Sequence, residues 1–147
     1  LKIDHVQKFR DRFEEVVKNA ITPEMMIPQV DIDAELNFKD ISPKLFRILK
    51  QFEPFGPENM NPVFFAENVS DNGFARLVGT DEEHLQLGLI QEDIPFKVYR
   101  AIAFNQASHL RKIKKGTAFD IAYTVVENNF RGNTTLQLNI KDIKIEN

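Results

Sequence analysis

The chain of 147 residues contains no cysteine. That excludes a disulfide framework and a thiolate zinc site. It also fits a reducing compartment, so a cytoplasmic location is the expectation. No stretch of about 18 apolar residues occurs, so no membrane span is expected. No Gly-x-Ser-x-Gly elbow is present to carry a nucleophile, and no Gly-x-x-x-x-Gly-Lys-Ser/Thr loop to cradle a phosphate. The three histidines, His5, His84 and His109, lie far apart with no ligand-like spacing. The chain starts at Leu1 without a signal-peptide pattern, and its first residues already look helical. A segment of a longer protein is therefore expected.

What is present reads as soluble and globular: 42% hydrophobic and 28% charged residues, enough for one domain, or one domain plus an appendage. The net charge of −3 hides an asymmetry. Residues 1–93 carry 10 Lys and Arg against 18 Asp and Glu, whereas residues 94–147 carry 9 against 4. A basic C-terminal third on an acidic chain is a plausible electrostatic footprint for a polyanion, although charges also cluster on solvated faces without any partner.

Periodicity divides the chain into a helical and a β-rich part. Val6, Phe9, Phe13, Val16, Val17 and Ala20 recur at three- and four-residue steps, which predicts an amphipathic helix over residues 3–20. Thr22-Pro23-Glu24 starts a short helical turn that Pro28 ends. Val30 to Phe38 alternates apolar and polar residues as a half-buried strand does. Ser42-Pro43 opens another helix with Leu45, Phe46, Leu49 and Phe52 as its stripe. Then comes a run, Phe52 to Phe64, whose three prolines, Gly56, Asn59 and Asn61 exclude regular helix and strand. Its aromatics suggest a loop packed down on the body of the protein. Beyond it, residues 63–79 read as one long bent strand with an Asn72-Gly73 turn in it. Strands at 84–91 and 96–105, a helix at 106–115 stopped by Gly116, and strands at 117–127 and 134–145 follow. Strand, strand, strand, helix, strand, strand is the layout of an OB-fold. The expected class is thus α+β: a five-stranded antiparallel OB-fold barrel with a helix between strands three and four, preceded by an N-terminal helical segment and an extra strand. Residues 1–29 would be the helical segment and residues 30–147 the OB unit with its leading strand–helix extension.

Candidate chemistry is sparse. Asp31, Asp33 and Glu35 share one face of the leading strand, where a metal could bridge them; a solvated or edge-guarding acidic face is the plainer reading. No catalytic residue and no metal site is assigned. Binding is better supported. Beyond Pro95, basic and aromatic residues interleave, as they do where cations hold phosphates and rings hold bases. Lys97, Arg100, Arg111, Lys112, Lys115, Phe130 and Arg131 are the candidate nucleic-acid contacts, with Phe130-Arg131-Gly132 at a hairpin tip preferred. Phe104 and Tyr123 are open between surface and core. Lys112, Lys114 and Lys115 also suit the last turn of a helix, where cations meet the dipole favourably. The acidic loop Asp81-Glu82-Glu83 would repel a phosphate chain.

Phe52–Phe64 resembles the Leu-x-Pro-Phe-Gly-x-Gly-Asn-x-x-Pro-x-Phe segment of the RecJ-type single-stranded-DNA-specific exonucleases. His84–Leu87, Ala101–Asn105 and Gly132–Leu138 look like strands of that family's OB domain, and Phe9–Phe13 like the end of its DHHA1 domain. One departure is Glu58, where the family usually has a second glycine, which bears on tight-turn geometry there. The resemblance implies an enzyme that degrades single-stranded DNA 5′ to 3′ in repair and recombination. In the family, catalysis belongs to an N-terminal DHH domain holding Mn²⁺ or Mg²⁺; none of its motifs occurs here, so this piece alone is expected to be inactive and to need no cofactor. What the resemblance carries over is a DNA-holding role, with single-stranded DNA as partner. The second reading is a brace or docking module, for instance for a single-strand-binding protein.

Overall fold

A computed structural model describes residues 3–146. Helix α1 spans Ile3–Ala20, α2 Pro43–Lys50 and α3 Leu110–Ile113; strands are β1 Ala34–Glu35, β2 Phe64–Asp71, β3 Arg76–Val78, β4 His84–Gln91, β5 Tyr99–Ala103, β6 Phe119–Phe130 and β7 Asn133–Lys144. Three short 3-10 turns, at Pro23–Met26, Phe38–Asp40 and Ala107–His109, punctuate them. Ser42 caps α2 through its hydroxyl, which accepts from the Leu45 amide at 3.1 Å, and Pro43 takes the first helical position.

The seven strands form one sheet in the order β1-β2-β6-β7-β5-β4-β3, with a further pairing of β2 to β4. That pairing works because β2 changes partner along its length. Phe64, Phe65 and Ala66 pair with β6, the ladder shifts between Ala66 and Val69, and Val69 to Asp71 pair with β4. Asn68, at φ 53°, makes the irregularity, and its amide donates to Asp120 Oδ1 at 3.1 Å. The pairings β2–β6, β6–β7, β7–β5, β5–β4 and β4–β2 thus lead back to the strand they start from.

The core lies inside this ring. Leu85, Leu87 and Leu89 from β4, Ala101 and Ala103 from β5, Ile121, Tyr123 and Val125 from β6, and Leu138 and Ile140 from β7 are all buried. Ile113 of α3 plugs one side, and Phe38 and Ile41 another. Phe38 packs edge-on against Tyr99 and Tyr123, with centroids 5.3 and 6.1 Å away.

Several expectations are corrected. The sheet is not purely antiparallel: β5 runs parallel to β7, and β1 to β2. Residues 63–79 are two strands, because the turn after Asp71 sends β3 to the outer edge of β4 alone. The leading strand shrinks to Ala34–Glu35. The Asp33 and Leu36 amides still donate to the Val63 and Phe65 carbonyls at 2.8 and 2.9 Å, but side chains take over at the ends: Asp33 Oδ2 takes the Val63 amide at 2.8 Å and Gln91 Oε1 takes the Phe38 amide at 2.9 Å. The strand expected at 96–105 starts only at Tyr99, since Pro95 and two turn hydrogen bonds, Ile94 to Gln91 and Lys97 to Ile94, hold residues 91–97 in a loop. The hairpin expected to open at 128–133 instead continues as a ladder to Phe130 and Asn133. Arg131 and Gly132, at φ 50° and 80°, form a two-residue turn whose twist matches the strands. Finally, the Phe52–Phe64 loop is ordered by polar bonds as much as by its rings. Gly56 and Asn59 exchange backbone hydrogen bonds at 2.8 and 2.9 Å, Asn59 Nδ2 donates to the Pro54 carbonyl, and Phe52 stays exposed. Glu58 does not have a positive φ, so the family's glycine is replaced there without backbone strain.

Candidate nucleic-acid interface

Strand parity sets the site. On β5, Tyr99, Ala101 and Ala103 point inward, so Arg100, Ile102 and Phe104 point out. On β4, Leu85, Leu87 and Leu89 are the inward set, leaving His84, Gln86 and Gly88 outside. The ladders align these residues: Arg76 stands opposite Gln86, Gln86 opposite Ile102, and Gly88 opposite Arg100. The outer face of β3, β4 and β5 therefore carries one contiguous group of cations, rings and an amide.

At one end of this face, the Arg100 guanidinium lies 3.6 Å from the centroid of the Phe74 ring, and Arg76 lies 4.9 Å from it. Arg76 Nε also donates to Gln86 Oε1 at 2.9 Å. At the other end, His84 and Phe104 meet edge-on at 5.0 Å. The two ends are four residues apart on β5, about 13 Å at strand rise. His84 Nδ1 accepts from the Asn105 amide at 3.1 Å, and its Nε2 faces Glu83 Oε1 at 3.2 Å. That pair fixes the ring. A guanidinium held over an aromatic ring can still offer a plane to a base and N–H donors to a phosphate. Phe104 offers a ring that is 51% exposed.

The residues expected from sequence fall on this face and at its two ends. Arg100 is in the face. Phe130 and Arg131 occupy the tip of the β6–β7 hairpin, with the guanidinium 5.2 Å from the ring, and the parallel β5–β7 register sends that hairpin off the Arg100 end. Lys97 leaves the same end, but its Nζ donates to the Ile41 carbonyl at 3.2 Å and lies 5.0 Å from the Tyr99 ring. That bond takes one of its three N–H donors and anchors the ammonium beside the inward-facing Tyr99 ring, without neutralising its charge. Arg111, Lys112 and Lys115 belong to α3 and the turn after it, at the Phe104 end, together with the acidic loop 81–83. Glu83 turns inward within that loop: its carboxylate accepts the Asp81 amide, and hydrogen bonding to the backbone holds its pKa below the ordinary carboxylate value. Phe74, Arg76, His84 and Gln86 went unassigned by sequence reasoning, which began its interleaved run only after Pro95. Extending the period-2 reading of 84–91 to its outward residues would have found His84 and Gln86.

The acidic trio does not assemble a metal site. The Asp33 carboxylate takes the Val63 amide, Glu35 Oε1 takes Asn37 Nδ2, and among the described residues no group of three or more His, Cys, Asp or Glu side chains is placed to hold a metal. Among the described residues, no helix is long and apolar enough to cross a membrane.

A family model described as the RecJ OB domain matches residues 32–142. The chain is 25% identical over 145 residues to the single-stranded-DNA-specific exonuclease RecJ of Bacillus subtilis, covering 99% of this chain and 18% of that protein. It is 28% identical over 147 residues to the RecJ of Escherichia coli K12, covering 97% of this chain and 24% of that protein. The crystal structure of RecJ with Mg²⁺ from Thermus thermophilus superposes with a TM-score of 0.63 at 20% identity, over 96% of this chain and 20% of that one. A second structure of that protein, with Mn²⁺, gives 0.64. The chain thus spans a quarter or less of the length of these relatives.

Proposed function

Since the chain belongs to the RecJ OB domain family, we propose that it is the strand-holding part of a RecJ-like exonuclease, with a single DNA strand lying across the outer face of β4 and β5. The observation that carries this reading is the cluster of Phe74, Arg100, Arg76 and Gln86, in which planar cations and an amide are displayed on a rigid sheet. In this reading the ring of strand pairings is a five-stranded OB barrel made of β2, β4, β5, β6 and β7, and α3 is the helix between its third and fourth strands. Residues 30–147 are then the OB unit, and residues 1–29 the end of a DHHA1-like domain. The hydrolysis of DNA in repair and recombination, and the Mn²⁺ or Mg²⁺ that supports it, belong to a catalytic part outside this chain; among the described residues no group of carboxylates is placed to hold such an ion. The cell compartment is the cytoplasm.

Stacking on aromatic and guanidinium planes takes any base, so the strand would be held with little sequence preference. Duplex DNA, whose bases are stacked on one another, would gain only the phosphate contacts. Phosphates are met by Arg76 and Arg100 on the face, by Arg131 at one end, and by Arg111, Lys112 and Lys115 at the other. Fluorescence anisotropy with a labelled single strand of about 20 nucleotides, titrated across salt, tests this. The expected result is salt-sensitive binding that prefers the single strand to a duplex and weakens when Arg100 is replaced by alanine. Equal affinity of R100A and the parent chain at every salt concentration would overturn it.

A second reading has its own observation. The apolar stripe of α1 is uncovered, with Val6 51%, Phe9 69%, Phe13 58% and Val16 58% exposed. Such a face suits protein contact, either to brace the catalytic part or to dock a single-strand-binding protein. Pull-down of that protein by a chain that binds no oligonucleotide would favour it.

A further inference from the structure

We propose that Asp71 is a positioning residue for base contact, acting through the turn that carries Phe74. This rests on the reading of the β4–β5 face as a DNA surface. Asp71 ends β2, and its carboxylate accepts three backbone amides. Oδ2 takes Gly73 at 2.8 Å and Ala75 at 2.9 Å, and Oδ1 takes Gly88 at 2.9 Å. The first two bonds shape the β2–β3 turn; the third fastens that turn to the middle of β4. The Asn72 amide completes the attachment by donating to the Gly88 carbonyl at 2.8 Å.

Gly88 is what lets the turn lie there. A Cβ at that position would stand 2.5 Å from Asn72 Oδ1 and 3.1 Å from Phe74 Cβ. The turn occupies the space that a side chain on β4 would fill. The consequence is the placement of Phe74 beside Arg100, which the ladder sets directly across from Gly88. The carboxylate is turned to amides, and among the described residues it forms no ion pair with Arg76 or Arg100. Both guanidiniums keep their charge for a ligand. A cation already held on a ring loses less freedom when a base stacks on it, so the staple pre-organises the seat.

D71N is the informative variant. An asparagine still supports a turn of this kind, yet a single amide oxygen cannot serve both the turn and Gly88. G88A disturbs the same junction from the β4 side and guards against a folding defect peculiar to D71N. Two measurements on the 147-residue chain decide the matter. NMR contacts between the Phe74 ring and the Arg100 side chain report the placement without DNA. Affinities for a base-bearing strand and for an abasic strand of equal length report its use. Expected are loss of the ring–guanidinium contacts in both variants and a drop of about tenfold on the base-bearing strand, the size of one stacking contact. The abasic strand should be unaffected. Retained contacts, or an equal loss on both strands, overturn the positioning role. A parent chain that binds both strands alike overturns the base-contact reading itself, and with it this role, even where the NMR contacts respond as expected.

Discussion

Tyr123 shows what one buried polar group does for this fold. Its ring is fully buried beside Phe38 and Phe64, and its hydroxyl donates to the Leu36 carbonyl at 2.6 Å, tying the segment before α2 to the middle of β6. Burial pushes the hydroxyl pKa well above its ordinary value, with the neighbouring Tyr99 and Asp40 adding to the effect. The folded state therefore holds this proton after the unfolded chain has lost it near pH 10. The stability it contributes is complete below pH 10 and declines as pH rises from there towards the raised folded pKa. Urea unfolding of the parent chain should show a midpoint that falls between about pH 9.5 and 11. In Y123F the fall should be shallower, and at neutral pH the variant should be less stable by about 1–3 kcal/mol, because the Leu36 carbonyl is left unpaired. An unchanged alkaline slope would show that Tyr123 is not the group responsible. Phe104 illustrates why residue placement was only partly legible. In Tyr99-Arg100-Ala101-Ile102-Ala103-Phe104 the inward set ends in two alanines, while the outward set holds Ile102 and Phe104. Weighing hydrophobicity favours the wrong side; only the leucines paired beside those alanines, Leu85 and Leu87 on β4 and Leu138 on β7, explain why small residues face in.

Among the elements, the long β6–β7 hairpin depends on α2. β2 pairs with β6 only as far as Tyr123, and β5 with β7 only between Leu138 and Ile140, so among the described residues no further strand lies beside the outer part of the hairpin. Phe46, Leu49 and Leu136 pack there against the core, and Lys50 Nζ meets Glu127 Oε2 at 2.6 Å. The hydrogen bond to Glu127 raises the Lys50 pKa, but both partners are solvated, and the apolar contact is the stronger brace. F46A should speed amide exchange over residues 125–128 and 134–137 while leaving β4 and β5 protected. Uniform acceleration over the whole sheet would mean that Phe46 belongs to the global core instead. Elements with strong local signals were legible: the Ser42-Pro43 cap, the 3.6-residue stripe of 3–20 and the leucine alternation of 84–91 all occur where their patterns put them. Val30–Phe38 was not, although it alternates, because only Ala34 and Glu35 keep strand register with β2, and the Phe38 amide is taken instead by the side chain of Gln91, 53 residues away. The bond that joins the β2–β3 turn to Gly88 is similarly non-local, which is why Phe74 and Arg76 escaped a reading made along the chain.

At the scale of the whole molecule, the ring of strands and α1 obey different rules. The ring buries most of its apolar residues; α1 leaves most of its described ones exposed, and among the described residues none of its stripe belongs to the buried core. α1 also carries four basic and four acidic residues, so it adds nothing to the net charge. Removing Ile3–Ala20 therefore takes away apolar surface without changing the electrostatics that DNA would meet. The shortened chain should unfold cooperatively, with a melting temperature within a few degrees of the parent, since none of the helix's described side chains belongs to the buried core. Its affinity for a single strand should fall with salt along the parent's slope, each phosphate neutralised contributing about 0.7 to that slope. R131A, by contrast, should flatten the slope by about one such contact while leaving the melting temperature unchanged. The two variants separate the roles physically. If the α1 deletion abolishes cooperative unfolding, the helix is part of the folding unit and its apolar face is covered in solution by the chain itself. If only the slope changes, and only in R131A, DNA contact is confined to the strand ring and its hairpin, and the α1 face is left for the remainder of a protein of which the relatives are four or more times as long.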